Sequence, residues 1–407
     1  MFVLNVEKYG DIIKDYVLRE YIKCMRDPSG ILKYKFIVPG SVYSDELWDW
    51  DSWLTDIAIS PFLSSDYQID YEKGCVLNFL DHMLDDGKMP IWITSERTSF
   101  EIYPGTKNIH KPCLAQHALF ISEKIGSASW LESNFDKLRV FVDWYEKNCL
   151  HKSGLYVWLD DFAIGVDNDP CVFYRPDGSS ASIYLNCLMY RELISLSKIA
   201  SMLSLSEIAD EYLGKANALK GVINELSYDE RDGMFYNVDV NLVPIDPAQR
   251  LHSGAPRHWS TLIQRVDVWT GFMPMWAGIA TEEQAKRMIE RCMDKRTFYS
   301  NNGIRSLGKL EKMYSVKKSN NPSCWLGPIW VIANYMIFKG ALAYGYKDLA
   351  YDIAEKTVLM LGRDIEECGE MHEYYDPDTG EGVHNKGFQS WNLLSVELVE
   401  WLKANSK

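Results

Sequence analysis

The chain has 407 residues, 47% of them apolar and 25% charged, with a net charge of −14. That is ordinary globular composition, and the length suits two or three domains or one large repeated architecture. The negative balance argues against nucleic acid or an anionic membrane as the main partner and favours neutral or cationic ligands. Nine cysteines without CxxC spacing or clustered histidines imply neither a zinc site nor a disulfide framework, so no metal or cofactor is expected. The N-terminus lacks a basic region followed by a long apolar run, and the longest apolar stretch, residues 329–338, is broken by Asn334. These features predict a reduced, cytoplasmic protein without a signal peptide or membrane span.

In chain order, helical periodicity dominates. Ile12, Ile13, Val17, Tyr21, Ile22 and Met25 form one face of a helix predicted within residues 4–25. Helices are then expected at 51–63, 71–86 and 112–125. Ser129 with Glu132 has capping-box spacing before Leu138, Phe141, Val142 and Tyr145, and Ser204 with Glu207 has the same spacing before Ile208, Tyr212 and Leu219. Thr281 with Gln284 makes a third box ahead of residues 285–293. Further helices are read at 182–202, 270–279, 329–345, 348–361 and 387–402, and residues 234–240 are the best short hairpin candidate. That amounts to about twelve helices, roughly thirty residues per helix plus loop. Several look apolar on more than one face, as inner helices should, and no linker divides the chain. The expectation is an all-α, single-domain (α/α)6 barrel spanning residues 1–407. In such a toroid of six hairpins, loops far apart in sequence line one cavity.

The chain is rich in aromatics, with 14 Trp and 24 Tyr. Trp48, Trp50, Trp92, Trp158, Trp259, Trp325 and Trp391 lie in or beside predicted loops, where flat faces with polar edges suit sugars. Four aromatic-acidic loops stand out. The first, VPGSVYSDELWDWDSWLTD (38–56), interleaves Trp48, Trp50 and Trp53 with Asp49 and Asp51; it also reads as a helix N-terminus capped by Asp51. The second, WLDDFAIGVDNDP (158–170), is an acidic turn that is either simply solvated or drawn inward by Phe162, Ile164 and Val166. Held against apolar surface, Asp167 becomes a candidate general acid. The third, NPSCWLGPIWVIANY (321–335), sets Trp325 and Trp330 around Gly327, which would allow close approach of backbone to a ligand, or serves packing alone. The fourth, HEYYDPDTGEGVHNKGFQSWN (372–392), contains a turn from Asp376 to Gly382 and leaves Glu373 as a second carboxylate. Two carboxylates in an aromatic-walled cavity are what glycoside hydrolysis needs.

Taken in this order, the loops resemble the bacterial members of glycoside hydrolase family 63. The resemblance is nearest to the mannosylglycerate and glucosylglycerate hydrolases and more distant to trehalases. Trp50-Asp51-Ser52, Gly165-Val166-Asp167-Asn168-Asp169-Pro170, Trp325-Leu326-Gly327-Pro328-Ile329-Trp330 and Glu373-Tyr374-Tyr375-Asp376-Pro377 carry it. Leu185-Asn186 and Tyr190-Arg191-Glu192 match a structural helix of the family. The resemblance spans about residues 36–395. It implies an inverting α-glycosidase acting on an α-linked glucoside or mannoside of a short oligosaccharide or small glycoside. Asp167 would be the acid and Glu373 the base. The substrate-binding set would be Tyr43, Trp48, Trp50, Asp51, Trp92, Phe162, Asn168, Trp325, Gly327, Trp330, Tyr374, Gln389 and Trp391. Three departures bear on the substrate: Phe162 in place of a Trp, Leu326 in place of an Arg, and Lys111-Pro112-Cys113 in place of Gln-Pro-Pro. The rivals are a sugar epimerase, which would need a histidine pair that His252, His258, His372 and His384 do not form by any pattern, and a sugar-binding protein without catalysis. The long segment 241–265 is a candidate lid anchored by Trp259, in which Arg250 or Arg257 would meet an acidic aglycone.

Overall fold

The computed structural model describes residues 2–63, 66–173, 175–242, 259–317 and 323–405. Among them thirteen α-helices follow one another. These are α1 (Phe2–Glu20), α2 (Asp49–Ile59), α3 (Asp66–Asp81), α4 (Ser99–Ile102), α5 (Leu114–Ile125), α6 (Phe135–Asn148) and α7 (Ile183–Met202), then α8 (Ser206–Ser227), α9 (Met273–Ala277), α10 (Glu282–Cys292), α11 (Val331–Ala343), α12 (Lys347–Cys368) and α13 (Ser395–Asn405).

Apolar patterning sorts them into two layers. α2 buries ten of its eleven residues, three aspartates included, and the almost wholly apolar α11 ten of thirteen; a helix buried on all sides belongs inside. α10 buries only Ala285, Met288, Ile289 and Cys292, a single stripe at helical spacing, and so belongs outside. The contacts follow this division. α2 touches α5, α5 touches α7, α7 touches α9, and α9 touches α11. α11 meets the 3-10 turn Ser390–Leu394 that leads into α13, and α13 returns to α2. That closes an inner ring of six, with α1, α3, α6, α8, α10 and α12 around it. The fold is an (α/α)6 barrel. Glu192 of α7 ties two inner helices together, accepting the Ala115 N–H at 2.7 Å and the Gln116 N–H at 3.2 Å at the first turn of α5. No helix among the described residues is long and apolar enough to cross a membrane.

Local details differ from the sequence reading in instructive ways. The Thr281–Gln284 box is present, with both reciprocal hydrogen bonds. At Ser129 the chain makes a 3-10 turn instead, and α6 begins only at Phe135. Ser204 ends α7 rather than starting α8: it is left-handed (φ 62°), and the Leu205 N–H returns to the Ala200 carbonyl. The stretch 234–240 is divided between two sheets. Met234–Phe235 pairs with Tyr228–Asp229, while Asn237–Asp239 lies between Ser180–Ala181 and Leu262–Gln264.

Candidate active site

Four loops converge at one end of the inner ring, each fixed by its own polar residues. In the first, the strand Glu46–Trp48 pairs with Trp92–Thr94 and runs into α2. Asp49, not Asp51, serves the helix start: its Oδ1 accepts the Trp50 N–H at 2.7 Å. Its carboxylate also takes the Lys111 N–H at 2.9 Å and the Lys111 ammonium at 3.0 and 3.1 Å. Asp51 therefore keeps its carboxylate for the cavity, with the Ser390 hydroxyl donating to Oδ1 at 3.2 Å.

In the second loop Ile164 and Val166 are buried, whereas Phe162 is 39% exposed. The apolar pull thus acts through two of the three expected residues. Gly165 has φ 89°, and a Cβ there would run into the Lys111 side chain. Left-handed Asn168 accepts the Trp325 N–H at 3.0 Å, locking the Asp167 turn to the third loop. There Trp325 and Trp330 stack at 3.8 Å with planes 3° apart, and Ile329 exchanges both backbone hydrogen bonds with Tyr375 of the fourth loop. In that loop Asp376 accepts the N–H groups of Asp378 and Thr379, closing a hairpin between Tyr374–Tyr375 and Gly382–His384. Asn385 faces the hairpin; its amide donates to Glu373 Oε2 and, at 3.2 Å, to the Tyr43 hydroxyl.

These loops enclose a cavity of about 600 Å³. Eleven of the fifteen predicted residues line it: Tyr43, Trp48, Trp50, Asp51, Trp92, Phe162, Asp167, Trp325, Trp330, Glu373 and Trp391. The other four are placed behind the wall. Asn168 is spent on the Trp325 backbone. The close approach at Gly327 (φ 139°) is to the Tyr314 ring, not to the cavity. Tyr374 is buried beneath Trp330 at 4.9 Å. Gln389 turns outward to Glu20 of α1 at 3.2 Å. Glu46, Tyr103, Lys111, Asp161 and Phe388 also line the cavity. Glu46 and Lys111 stand inside motifs that the sequence already marks; Tyr103 carries no such signal.

The cavity has two tiers. At its floor, Trp50, Asp51, Trp325, Trp330, Glu373 and Trp391 are all buried. At its mouth, Trp48 stacks on Trp92 at 4.6 Å, Tyr103 meets Trp92 at 5.7 Å, and Phe162 meets Tyr103 at 5.3 Å. Burial, reinforced by the neighbouring Asp49, raises Asp51 to about 7. Burial raises Glu373 to about 8, opposed by the Asn385 hydrogen bond and helped by Asp51 and Asp167. Both floor carboxyls therefore hold a proton to higher pH than a free carboxylate would, which places Glu373, if it acts as a base, at its working ionisation only on the alkaline side of neutral.

Neither His372, bound to Asp364 at 2.9 Å, nor His384 is among the lining residues. Among the described residues no group of three or more His, Cys, Asp or Glu could hold a metal ion. Residues 243–258 of the candidate lid, with Arg250, His252, Arg257 and His258, lie outside the described residues. Beyond them Trp259 is 56% exposed, and Arg265 pairs with Asp229 and Asp232.

The fold recurs in solved structures. A mannosylglycerate hydrolase of glycoside hydrolase family 63 from Thermus thermophilus, crystallised with glucose, superposes with a TM-score of 0.68 at 18% identity, covering 96% of this chain and 98% of that one. Neutral trehalase Nth1 from Saccharomyces cerevisiae gives 0.62 at 18% identity, covering 94% of this chain and 77% of that one. A probable mannosyl-oligosaccharide glucosidase of Schizosaccharomyces pombe is 26% identical over 277 residues, 64% of this chain and 32% of the relative. Mannosylglycerate hydrolase MGH1 of Selaginella moellendorffii is 31% identical over 135 residues, 32% of this chain and 24% of the relative. The chain thus spans less than half the length of these curated relatives. The profile of the mannosylglycerate hydrolase MGH1-like glycoside hydrolase domain matches residues 44–391, a stretch that takes in all four loops except the start of the first and the last residue of the fourth, and the chain belongs to that family of glycoside hydrolases.

Proposed function

We propose that the protein is an inverting α-glycosidase that hydrolyses an α-linked glucoside or mannoside of a short oligosaccharide or small glycoside. One observation carries the reading: Asp167 and Glu373, from loops far apart in sequence, line the same aromatic cavity. Asp167 gives its proton to the leaving oxygen as the bond to the anomeric carbon breaks. Water attacks that carbon from the opposite face, and Glu373 takes the water's proton. Asn385 occupies Glu373 Oε2, which leaves Oε1 as the acceptor for water. Trp50, Trp325 and Trp391 wall the cleaved sugar, and Asp51 holds its hydroxyls. The named activities of the relatives support an α-glucosyl or α-mannosyl donor, and the nine free thiols, eight of them buried, suit a reducing compartment such as the cytoplasm.

The test combines stereochemistry with leaving-group dependence. Wild type should release the β-anomer first, as followed by NMR. Asp167→Asn should lose about 10²–10⁴-fold on natural glycosides but much less on aryl glycosides with good leaving groups. Glu373→Gln should lose activity on both alike. A crystal structure should place the two carboxyls about 6.5–9.5 Å apart. First release of the α-anomer, or equal leaving-group-independent losses in both variants, contradicts the assignment.

A further inference from the structure

Above the buried floor, the mouth of the cavity has its own chemistry. Its wall is a continuous run of four rings, Trp48, Trp92, Tyr103 and Phe162, each packed on the next. The wall opens outward: Tyr103 is 49% exposed and Phe162 39%, while the floor tryptophans are buried. Such a surface fits the apolar face of a pyranose ring, and offers little to a three-carbon acid. Two carboxylates edge it. Glu46 is oriented by the Trp48 indole N–H at 2.7 Å, and Asp161 is exposed on the lining of the cavity. Deeper in, Asp51, Asp167 and Glu373 also line the cavity, but burial holds Asp51 and Glu373 largely protonated near neutral pH, so the negative charge at the mouth is that of Glu46 and Asp161. Among the described residues the one basic side chain in the lining is Lys111; it is buried, and both hydrogen bonds from its ammonium go to Asp49. The negative faces of the rings add to the same sign of potential.

From this we infer that the mouth is a leaving-group subsite for a neutral sugar ring, and that it discriminates against a leaving group bearing a carboxylate. The inference rests on the glycosidase reading above and narrows its substrate to glycosides whose aglycone is itself an uncharged pyranose.

The experiment uses the full chain and four donors of one glycosyl group, in a glucosyl and a mannosyl series: the α-fluoride, α-linked disaccharides with glucose, the same with glucosamine, and the α-linked glycerate. The fluoride fills only the floor, so it reports the glycosidase reading independently of the mouth. Glucose-linked donors should exceed the glycerate-linked one in kcat/KM by about tenfold or more at low ionic strength. Added salt should raise kcat/KM for the glycerate donor, lower it for the glucosamine donor and leave the glucose donor level, because screening weakens repulsion and attraction alike. Phe162→Ala and Trp92→Ala should lower kcat/KM for the disaccharide about tenfold more than for the fluoride. A preference for the glycerate donor, or a rate on it that falls with salt, overturns the inference and leaves the glycosidase reading standing. Turnover of a fluoride without any disaccharide of either series does the same. No turnover of either fluoride removes both.

Discussion

Asn385 sets the proton affinity of Glu373 more directly than any other single side chain. It sits in a left-handed turn (φ 45°) after the hairpin, and its amide bridges Glu373 and the Tyr43 hydroxyl. Burial alone pushes a carboxylate up, and a donated hydrogen bond favours the ionised form and pulls it back. With Glu373 pushed up to about 8 by burial, a base that must be unprotonated limits kcat/KM on the acid side, so the rate should climb until pH reaches about 8. Asn385→Ala removes the downward pull, and the acid limb should move to higher pH. Asp51→Asn removes a negative neighbour, and the limb should move to lower pH, whatever it costs in sugar binding. Profiles of kcat/KM from pH 5 to 9 measure both, and an acid limb that moves down in Asn385→Ala contradicts the role given to Glu373. The sequence made Glu373 visible because its carboxylate stands among tyrosines in a motif. It could not show Asn385, since a polar residue beyond a turn has no pattern, and its role exists only once the hairpin has folded back. Gly327 and Gln389 fail in the opposite sense. Each sits in a motif with site chemistry, yet packing sends one against Tyr314 and the other to Glu20.

The helices themselves were legible because burial repeats along them at helical spacing, and that period survives any tertiary context. Their ends were not. Ser129 and Ser204 carry the same spacing to an acidic partner as Thr281 carries to Gln284, yet only Thr281 caps a helix. A capping residue is one acceptor among several, and at Ser204 the preceding helix claims the turn first. Long-range caps have no local signal at all, and Glu192 is the clearest one. It lies on inner helix α7, far in sequence from the start of α5 whose N–H groups it accepts. It is also fully buried. Glu192→Ala leaves two buried donors without a partner and should destabilise the fold by about 2–4 kcal/mol. Glu192→Gln, which keeps an acceptor, should cost less than half of that. Chemical denaturation midpoints at pH 6 decide the matter, and a loss below about 0.5 kcal/mol for the alanine variant means that α5 is capped by other means.

At the scale of the whole molecule, the closed ring was foreseeable from helix count and all-round apolarity, but its electrostatic consequence appears only in three dimensions. A ring of inner helices with a polar cavity buries carboxylates. Burial raises Asp51, Asp56 and Glu72 to about 7, Asp169 to about 6, and Glu192 and Glu373 to about 8. Unfolded, such groups ionise near pH 4. The folded state therefore keeps protons that the unfolded state has lost. The stability this provides is complete below pH of about 4 and disappears as pH rises through 6–8. His110 and His117 act in the other direction. Burial lowers His110 to about 4 and lowers His117 as well, whose Nε2 lies 2.8 Å from Asp56, so their contribution is present above pH of about 6.5 and is lost on acidification. Six carboxylates outweigh two histidines, and the repulsion within a chain of net charge −14 grows with pH as well. Tm should therefore be highest at about pH 4–5 and fall by several degrees towards pH 8.5 at constant ionic strength. Glu373→Gln adds the sharper test. At pH 8.5 the wild type must ionise a carboxylate at the cavity floor, whereas the glutamine variant need not. It should melt above wild type there and match it more closely at pH 5, so that its Tm profile is flatter. The residue assigned to activate water would then be one the fold holds at a cost to stability in its working state. A Tm that rises towards pH 8.5, or a Glu373→Gln profile parallel to wild type and below it, is incompatible with this account.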